Sequence, residues 1–168
     1  MVTVYAFSAN DPRPTMVRIQ AALTDFDPAI KTDLVSLCKD EKGKPYLKDS
    51  PYHISISHSG VWWILAISLE PVGVDVQEYR SARFSALAKR FFHPTEVKSL
   101  EKHNFEDFYK VWTAKESYVK LTGTGIDGSF GKFSIFDLPY HFYQLPFEAG
   151  YTLTVCTLQP CTPILKYF

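Results

Sequence analysis

Residues 111–125 read VWTAKESYVKLTGTG. Apolar side chains recur there at three- and four-residue spacing, and the pattern stops on Gly123-Thr124-Gly125, which predicts a helix closed by a glycine. Trp112, Glu116, Val119 and Lys120 fall on one face of that helix. A fully solvated face would not carry Trp and Val, and a fully buried one would not carry an unpaired Glu and Lys. Two readings follow. Glu116–Lys120 is an exposed pair worth about 0.2–0.5 kcal/mol, or this face is the wall of a cleft holding both signs of charge.

Working outward, "FEDFYKVWTAKESYVKLTG" is the longest helical segment, preceded by amphipathic "SARFSALAKRFF" and by "HPTEVKSLEK", where Pro94 and Thr95 mark a fresh start. Before these lie "VTVYAF" (a strand), "TMVRIQAAL" (a helix that Thr15 could cap) and "DPAIKTDLVSL", read as a second short helix with Asp27 as cap and Pro28 at its first position. "DEKGKPYLKDSP" reads as a charged turn around Gly43 and Pro45. "YHISISHS" alternates strictly and "VWWILAISL" is nearly all apolar. Both read as strands, joined by a hairpin turn at Ser59-Gly60. "VGVDVQ" is a third strand. After the long helix, "SFGKFSIFDL", "HFYQLPF" and "YTLTVCTL" look β-like, and "PILKYF" reads as an edge strand or a tail. Each half therefore offers a helical segment followed by strands of antiparallel type. This predicts an α+β fold of two similar α/β lobes, residues 1–70 and 71–168, packed as one compact unit.

The 168 residues suit one ordinary domain or two very small ones. Hydrophobic residues at 46% and charged residues at 21% exclude general disorder. Lys plus Arg equals Asp plus Glu at 18 each, which disfavours a nucleic-acid partner, since phosphate neutralisation calls for a basic excess. The three cysteines, Cys38, Cys156 and Cys161, show no zinc spacing, and a reduced, cytoplasmic protein is expected. The first residues lack the pattern of a signal peptide, and no apolar run approaches the roughly 20 residues of a membrane span.

Three further positions stand out. Asp75 interrupts the valines of "VGVDVQ". Alternation puts Gly73, Asp75 and Gln77 on one face and Val72, Val74 and Val76 on the other, so the valines enter a core and the Asp face is exposed or lines a site. An Asp in mid-strand runs against propensity, and the plain alternative is an Asp bonded to nearby turn N–H groups. His58 lies in Ser57-His58-Ser59-Gly60, a donor-rich turn suited to phosphate oxygens or to a purely structural histidine. Lys44, in "GKP", reads alone as a solvated lysine.

Taken together and in order, "GKPYL", "ISHSG", "VGVDVQ" and "FYKVWTAKESYVKLTGTG" closely resemble the 4′-phosphopantetheinyl transferase family, in its Sfp-type branch. The family pattern runs G-[KR]-P, [NS]-[IL]-S-H-S, G-[IV]-D-[IV]-E and W-x-x-K-E-[SA]-x-x-K-x-x-G-x-G. The resemblance covers Gly43 to Gly125 well and the C-terminal strands loosely. It implies a pseudo-dimeric fold with the active site between two lobes. It also implies Mg²⁺-dependent transfer of phosphopantetheine from coenzyme A to a serine of an acyl or peptidyl carrier protein, releasing adenosine 3′,5′-bisphosphate. By the same resemblance Asp75 and Glu116 would hold the metal, Glu116 would act on the serine proton, and Lys120 would approach the reacting phosphate. Lys115, His58 and Lys44, with Pro45 beside it, would contact coenzyme A phosphates. Because two lobes in one chain can build the site, a monomer is implied.

Two departures bear on this. Gln77 stands where Sfp-type members commonly have Glu. Its amide oxygen can ligate a metal weakly or hold a metal-bound water, so two protein carboxylates and one more water are expected. Glu78 lies on the opposite strand face. The first lobe is also short, and lacks the basic helix that holds the 3′-phosphate in larger members. Arg18 is the candidate for that task. For the carrier, "RFSALAKRFFHPTEVKSLEK" combines basic and apolar residues, including Arg90, Phe91 and Phe92, which could equally pack the lobes together. Two other classes were weighed. A non-catalytic coenzyme A or carrier-binding protein is supported only by Gln77 and the short lobe. A metal-dependent hydrolase leaves both lysines of the helix and the "GKP" turn without a role.

Overall fold

The computed structural model describes residues 1–100, 105–125 and 130–168. The chain is an α+β protein built on a four-stranded sheet and a three-stranded sheet, with a separate two-stranded hairpin. The first sheet has the order β4 (His53–Ser59), β5 (Trp62–Ser68), β1 (Val2–Ser8), β9 (Ile164–Tyr167). Its neighbours are antiparallel except β1 and β9, which run parallel. "PILKYF" thus contains an edge strand, carried back onto the first sheet.

Strands β1 and β5 are apolar on both faces because both faces are covered. Tyr5, Phe7, Trp63, Leu65 and Ile67 pack against Ile19, Ala22 and Leu23 of α1 (Thr15–Phe26). Val2, Val4, Ala6, Ile64 and Ala66 face the other way, onto Val72, Val74 and Val76 of β6 (Val72–Glu78). Burying each Val or Leu there contributes about 1.5–3 kcal/mol. The valine face expected of "VGVDVQ" is therefore the floor of the core between the two sheets. β6 belongs to the second sheet, ordered β6, β8 (Tyr151–Thr157), β7 (His141–Leu145) and antiparallel throughout.

The outer edge of β6 has no ladder partner among the described residues; serines take that role. Ser55, Ser57 and Ser59 alternate along β4, and their hydroxyl oxygens accept the N–H groups of Val74 (3.0 Å), Val76 (3.2 Å) and Glu78 (3.0 Å). The S-x-S-x-S spacing thus matches strand period to strand period and satisfies an edge that would otherwise be bare. Two short helices and a long one follow β6: α2 (Phe84–Phe91), α3 (Pro94–Ser99) and α4 (Phe105–Thr122). An aromatic cluster of Phe92, Phe108, Tyr109 and Phe130 joins them. The start of α3 is capped by the His93 side chain, with Glu96 reaching back to the His93 N–H.

Several expected elements differ. "DPAIKTDLVSL" is not an α-helix. Asp27 Oδ1 accepts the Ala29 N–H in a local turn, a 3₁₀ turn covers Thr32–Leu34, and Ser36–Lys39 forms strand β2. Pairing with β3 (Pro45–Lys48) puts Val35 and Leu37 against the first core, and this tertiary burial outweighs helical spacing. The charged turn is accordingly shorter than expected, since Pro45–Lys48 is strand. "SFGKFSIFDL" forms no strand over residues 130–138. Phe130 and Phe133 pack as rings on Trp112 and Tyr118, and the Ile135 N–H goes to a side chain of α3. Ser129, and the Glu101-Lys102 end of "HPTEVKSLEK", lie outside the described residues.

Candidate active site

The site begins with a glycine. A Cβ on Gly73 would lie 1.8 Å from the Ser117 carbonyl oxygen and 2.8 Å from the Leu121 nitrogen. Only glycine lets the α4 backbone rest directly on β6. That close approach brings the 116–120 face of α4 beside Asp75, two residues along the strand. Thr113 and Thr154 hydroxyls, 2.7 Å apart, tie the same helix to β8.

Asp75 is buried, at 2% exposure, and its carboxylate has three protein donors. Oδ1 accepts the Ser57 hydroxyl at 2.8 Å and the Lys120 ammonium at 2.8 Å, and Oδ2 accepts the Gln77 amide at 3.2 Å. Glu116, at 7% exposure, has no hydrogen-bond partner among the described residues. Burial first, and the nearby Asp75 charge second, push its carboxyl up to about 7, against the opposing pull of Lys120. The sequence face Trp112–Glu116–Val119–Lys120 is indeed half wet and half dry, since two clefts meet along it. One, of about 260 Å³, is lined by Lys44, Pro45, Ile56, Glu116, Lys120 and Gly123. The other, of about 680 Å³, includes His58, Asp75, Gln77, Phe84, Tyr109 and Trp112, and shares Ile56, Glu116 and Lys120 with the first.

At the end of α4, Gly123 takes a left-handed conformation, φ +68°, and its N–H closes on the Val119 carbonyl at 2.9 Å. The Lys44 ammonium donates to the Leu121 carbonyl at 2.5 Å, placing a cation on the negative end of the helix. Burial lowers the pKa of that ammonium. The "GKP" turn and the helix stop are thus one structure.

The structure brings together Asp75, Gln77, Glu116, Lys120 and His58 on one cleft and Lys44 and Pro45 on its neighbour. It does not bring Lys115 or Arg18 to either. Lys115, expected at a phosphate, is fully buried on another side of α4, where it bonds Glu96 and the Phe133 carbonyl at 2.6 Å and lies 4.0 Å from the Phe133 ring centroid. Arg18 stacks on Trp63 and donates to the Arg13 carbonyl. Glu78 turns away to Arg80 and Tyr151. Phe92 of the carrier-facing candidate segment is buried, while Arg90 is exposed over the Phe91 ring. Sequence reasoning missed Ser57, the hydroxyl that fixes Asp75, and Glu96, the partner of Lys115. The signals were present as the serine alternation and as the His-Pro-Thr-Glu start of α3.

A family model described as the 4′-phosphopantetheinyl transferase superfamily matches residues 71–158, just over half of the chain and including β6 and α4. The chain belongs to that superfamily. Among individual proteins, it is 38% identical over 106 residues to a 4′-phosphopantetheinyl transferase of Bacillus subtilis, covering 60% of this chain and 47% of that one. It is 33% identical over 142 residues to the 4′-phosphopantetheinyl transferase Sfp of Bacillus subtilis strain 168, covering 73% and 63%. A putative 4′-phosphopantetheinyl transferase of Synechocystis is 42% identical over 97 residues, covering 52% and 39%. The chain thus matches between 39% and 63% of the length of these curated relatives. No described helix is long and apolar enough to cross a membrane.

Proposed function

We propose that this chain transfers 4′-phosphopantetheine from coenzyme A to a serine hydroxyl of an acyl or peptidyl carrier protein. The observation that carries the reading is the joint placement of Asp75, Glu116 and Lys120 where two clefts meet, inside a superfamily whose named members are transferases of this group. On this reading the chain is two lobes, 1–70 and 71–168, with β9 returned to the first sheet, and it works as a monomer with the site between the lobes.

Phosphoryl transfer asks the protein for positioning and charge stabilisation more than covalent chemistry. Glu116 is suited to accept the serine proton: its pKa near 7 gives it useful basicity at neutral pH, and no donor among the described residues competes for its oxygens. The serine oxygen then bonds the phosphorus that carries the pantetheine arm. The bond from that phosphorus to the bridging oxygen breaks, and adenosine 3′,5′-bisphosphate leaves. Lys120 reaches both clefts and would balance charge on the transferring phosphoryl group. Lys44 and His58 would hold the flanking phosphates.

Among the described residues no group of three His, Cys, Asp or Glu side chains comes together. The donor set nevertheless fits Mg²⁺, which uses one or two carboxylates and keeps waters. Asp75 and Glu116 are near enough for the charge of one to raise the proton affinity of the other, a repulsion that a dication would relieve. These two would hold the ion, with the Gln77 amide oxygen or a water beside them. The ion would offset the pyrophosphate charge.

The test is mass spectrometry of an apo carrier protein incubated with this protein, coenzyme A and Mg²⁺. A gain of one phosphopantetheine, abolished by a chelator, supports the reading. Glu116→Ala and Asp75→Ala should each cut the rate by about 100-fold or more with circular dichroism unchanged. Full activity in either variant overturns the residue roles. Coenzyme A binding without transfer to any carrier type would favour a silent binding protein instead.

A further inference from the structure

The Asp75 carboxylate already has a cation on it. Of its three donors, Ser57 is immobilised, because the same hydroxyl oxygen also accepts the Val76 N–H. Gln77 sits two residues away on the same strand and is neutral. Lys120 differs from both. Its side chain is 29% exposed, it projects from another element, and its hydrogen bond to Asp75 is the one ion pair among the described residues at the junction of the two clefts. A divalent cation seeking an Asp75 oxygen meets an ammonium 2.8 Å from Oδ1. The two cannot share that oxygen without placing like charges within a few ångströms of each other, a cost that grows where burial lowers the dielectric.

We propose that Lys120 is the resident counter-ion of Asp75, and that it is handed to a phosphate group when one enters, so that divalent cation and phosphate bind cooperatively. This rests on the metal assignment made above and adds an order to it. A phosphate in the Lys44-lined cleft offers Lys120 an acceptor of equal or greater charge. Moving there releases Asp75 for the metal. Linkage makes the effect reciprocal: a metal on Asp75 drives Lys120 toward phosphate.

The test needs neither coenzyme A nor carrier protein, so its outcome is separable from that of the transferase assay. Mn²⁺ is titrated into the protein and free ion is read by electron paramagnetic resonance, for wild type, Lys120→Met, Lys44→Met, and Lys120→Met combined with Asp75→Asn. Removing the resident ammonium should tighten Mn²⁺ binding about tenfold, within the usual range of coupling between sites. Lys44→Met should stay near wild type, because Lys44 sits on the Leu121 carbonyl rather than on Asp75. Adding Asp75→Asn should abolish the gain. The proposal is overturned if Lys120→Met binds Mn²⁺ no tighter than wild type. It is equally overturned if Lys44→Met tightens binding as much, since that would be a general charge effect, or if the gain survives Asp75→Asn.

Discussion

Among the described residues, Lys115 and Lys120, five residues apart on helix α4, each form an ion pair with another element. Lys115 meets Glu96 at 2.9 Å, and Lys120 meets Asp75 at 2.8 Å. The charges, the helix and the distances are alike. The surroundings are not. Glu96 also accepts the N–H groups of His93 and Ile135, both side chains are wholly buried, and the ammonium is enclosed by the Phe130 and Phe133 rings. Lys120 has open cleft on two sides. At 3.6 residues per turn the two lysines point roughly 140° apart, so one helix serves the fold with one lysine and the site with the other. A charge pattern in sequence does not say which charge is free to act; packing does.

The largest expected effect is at Lys115. Lys115→Met leaves the Glu96 carboxylate buried without its cation and should cost about 3–5 kcal/mol in urea denaturation. Adding Glu96→Leu should recover only part of that, because the His93 and Ile135 N–H groups would then lose their acceptor. A Lys115→Met variant with wild-type stability but weakened coenzyme A binding would reverse the assignment, making Lys115 the ligand-facing residue.

Glu116 sharpens the comparison through pH. Its folded pKa is raised from 4.5 to about 7, so the folded state binds the proton more tightly than the unfolded chain. For such a group stability is greatest below pH 4.5, falls as pH rises through the unfolded value, and levels off above the folded one. The loss between those limits is on the order of 3 kcal/mol. Glu116→Gln should therefore be more stable than wild type by roughly that amount at pH 8 and nearly equal to it at pH 4. If the chain acts as the proposed transferase, its activity should climb through about pH 7 as Glu116 ionises. Equal stability of the two proteins at pH 8 would show that Glu116 is not strained by burial.

Much of this was legible in the chain. The alternating faces of "VGVDVQ" placed Asp75 opposite the valine core, and the mixed face around Glu116 marked a cleft edge. What the sequence hid was contact between distant elements. Nothing local says that Ser36–Lys39 pairs as a strand with Pro45–Lys48, because the spacing of "DPAIKTDLVSL" suits a helix until burial of Val35 and Leu37 decides. Nothing local separates Lys115 from Lys120 either, since the partner of the first lies on α3 and that of the second on β6. Ser57-His58-Ser59-Gly60 read as a turn suited to phosphate oxygens or to a structural histidine, and the pairs Ser55–Val74, Ser57–Val76 and Ser59–Glu78 stitch two sheets together. One of those serines is nevertheless at the site, as the fixed partner of Asp75.

The smallest effect is the one that decides whether the two pairs really differ. Lys120→Met should cost clearly less folding stability than Lys115→Met, on the order of 1–2 kcal/mol, because Asp75 is buried but Lys120 is 29% exposed. Asp75 would keep the Ser57 hydroxyl and the Gln77 amide, and cleft water can reach the oxygen that Lys120 leaves. The long lysine stem is also relieved of the entropy cost of being held in one geometry. Urea midpoints measured beside those of Lys115→Met provide the contrast, because both variants remove an ammonium from α4 and replace it with the same side chain. A loss for Lys120→Met as large as that for Lys115→Met would mean that its pair with Asp75 is a structural element like the other, and an ammonium held that tightly could not be handed to a phosphate.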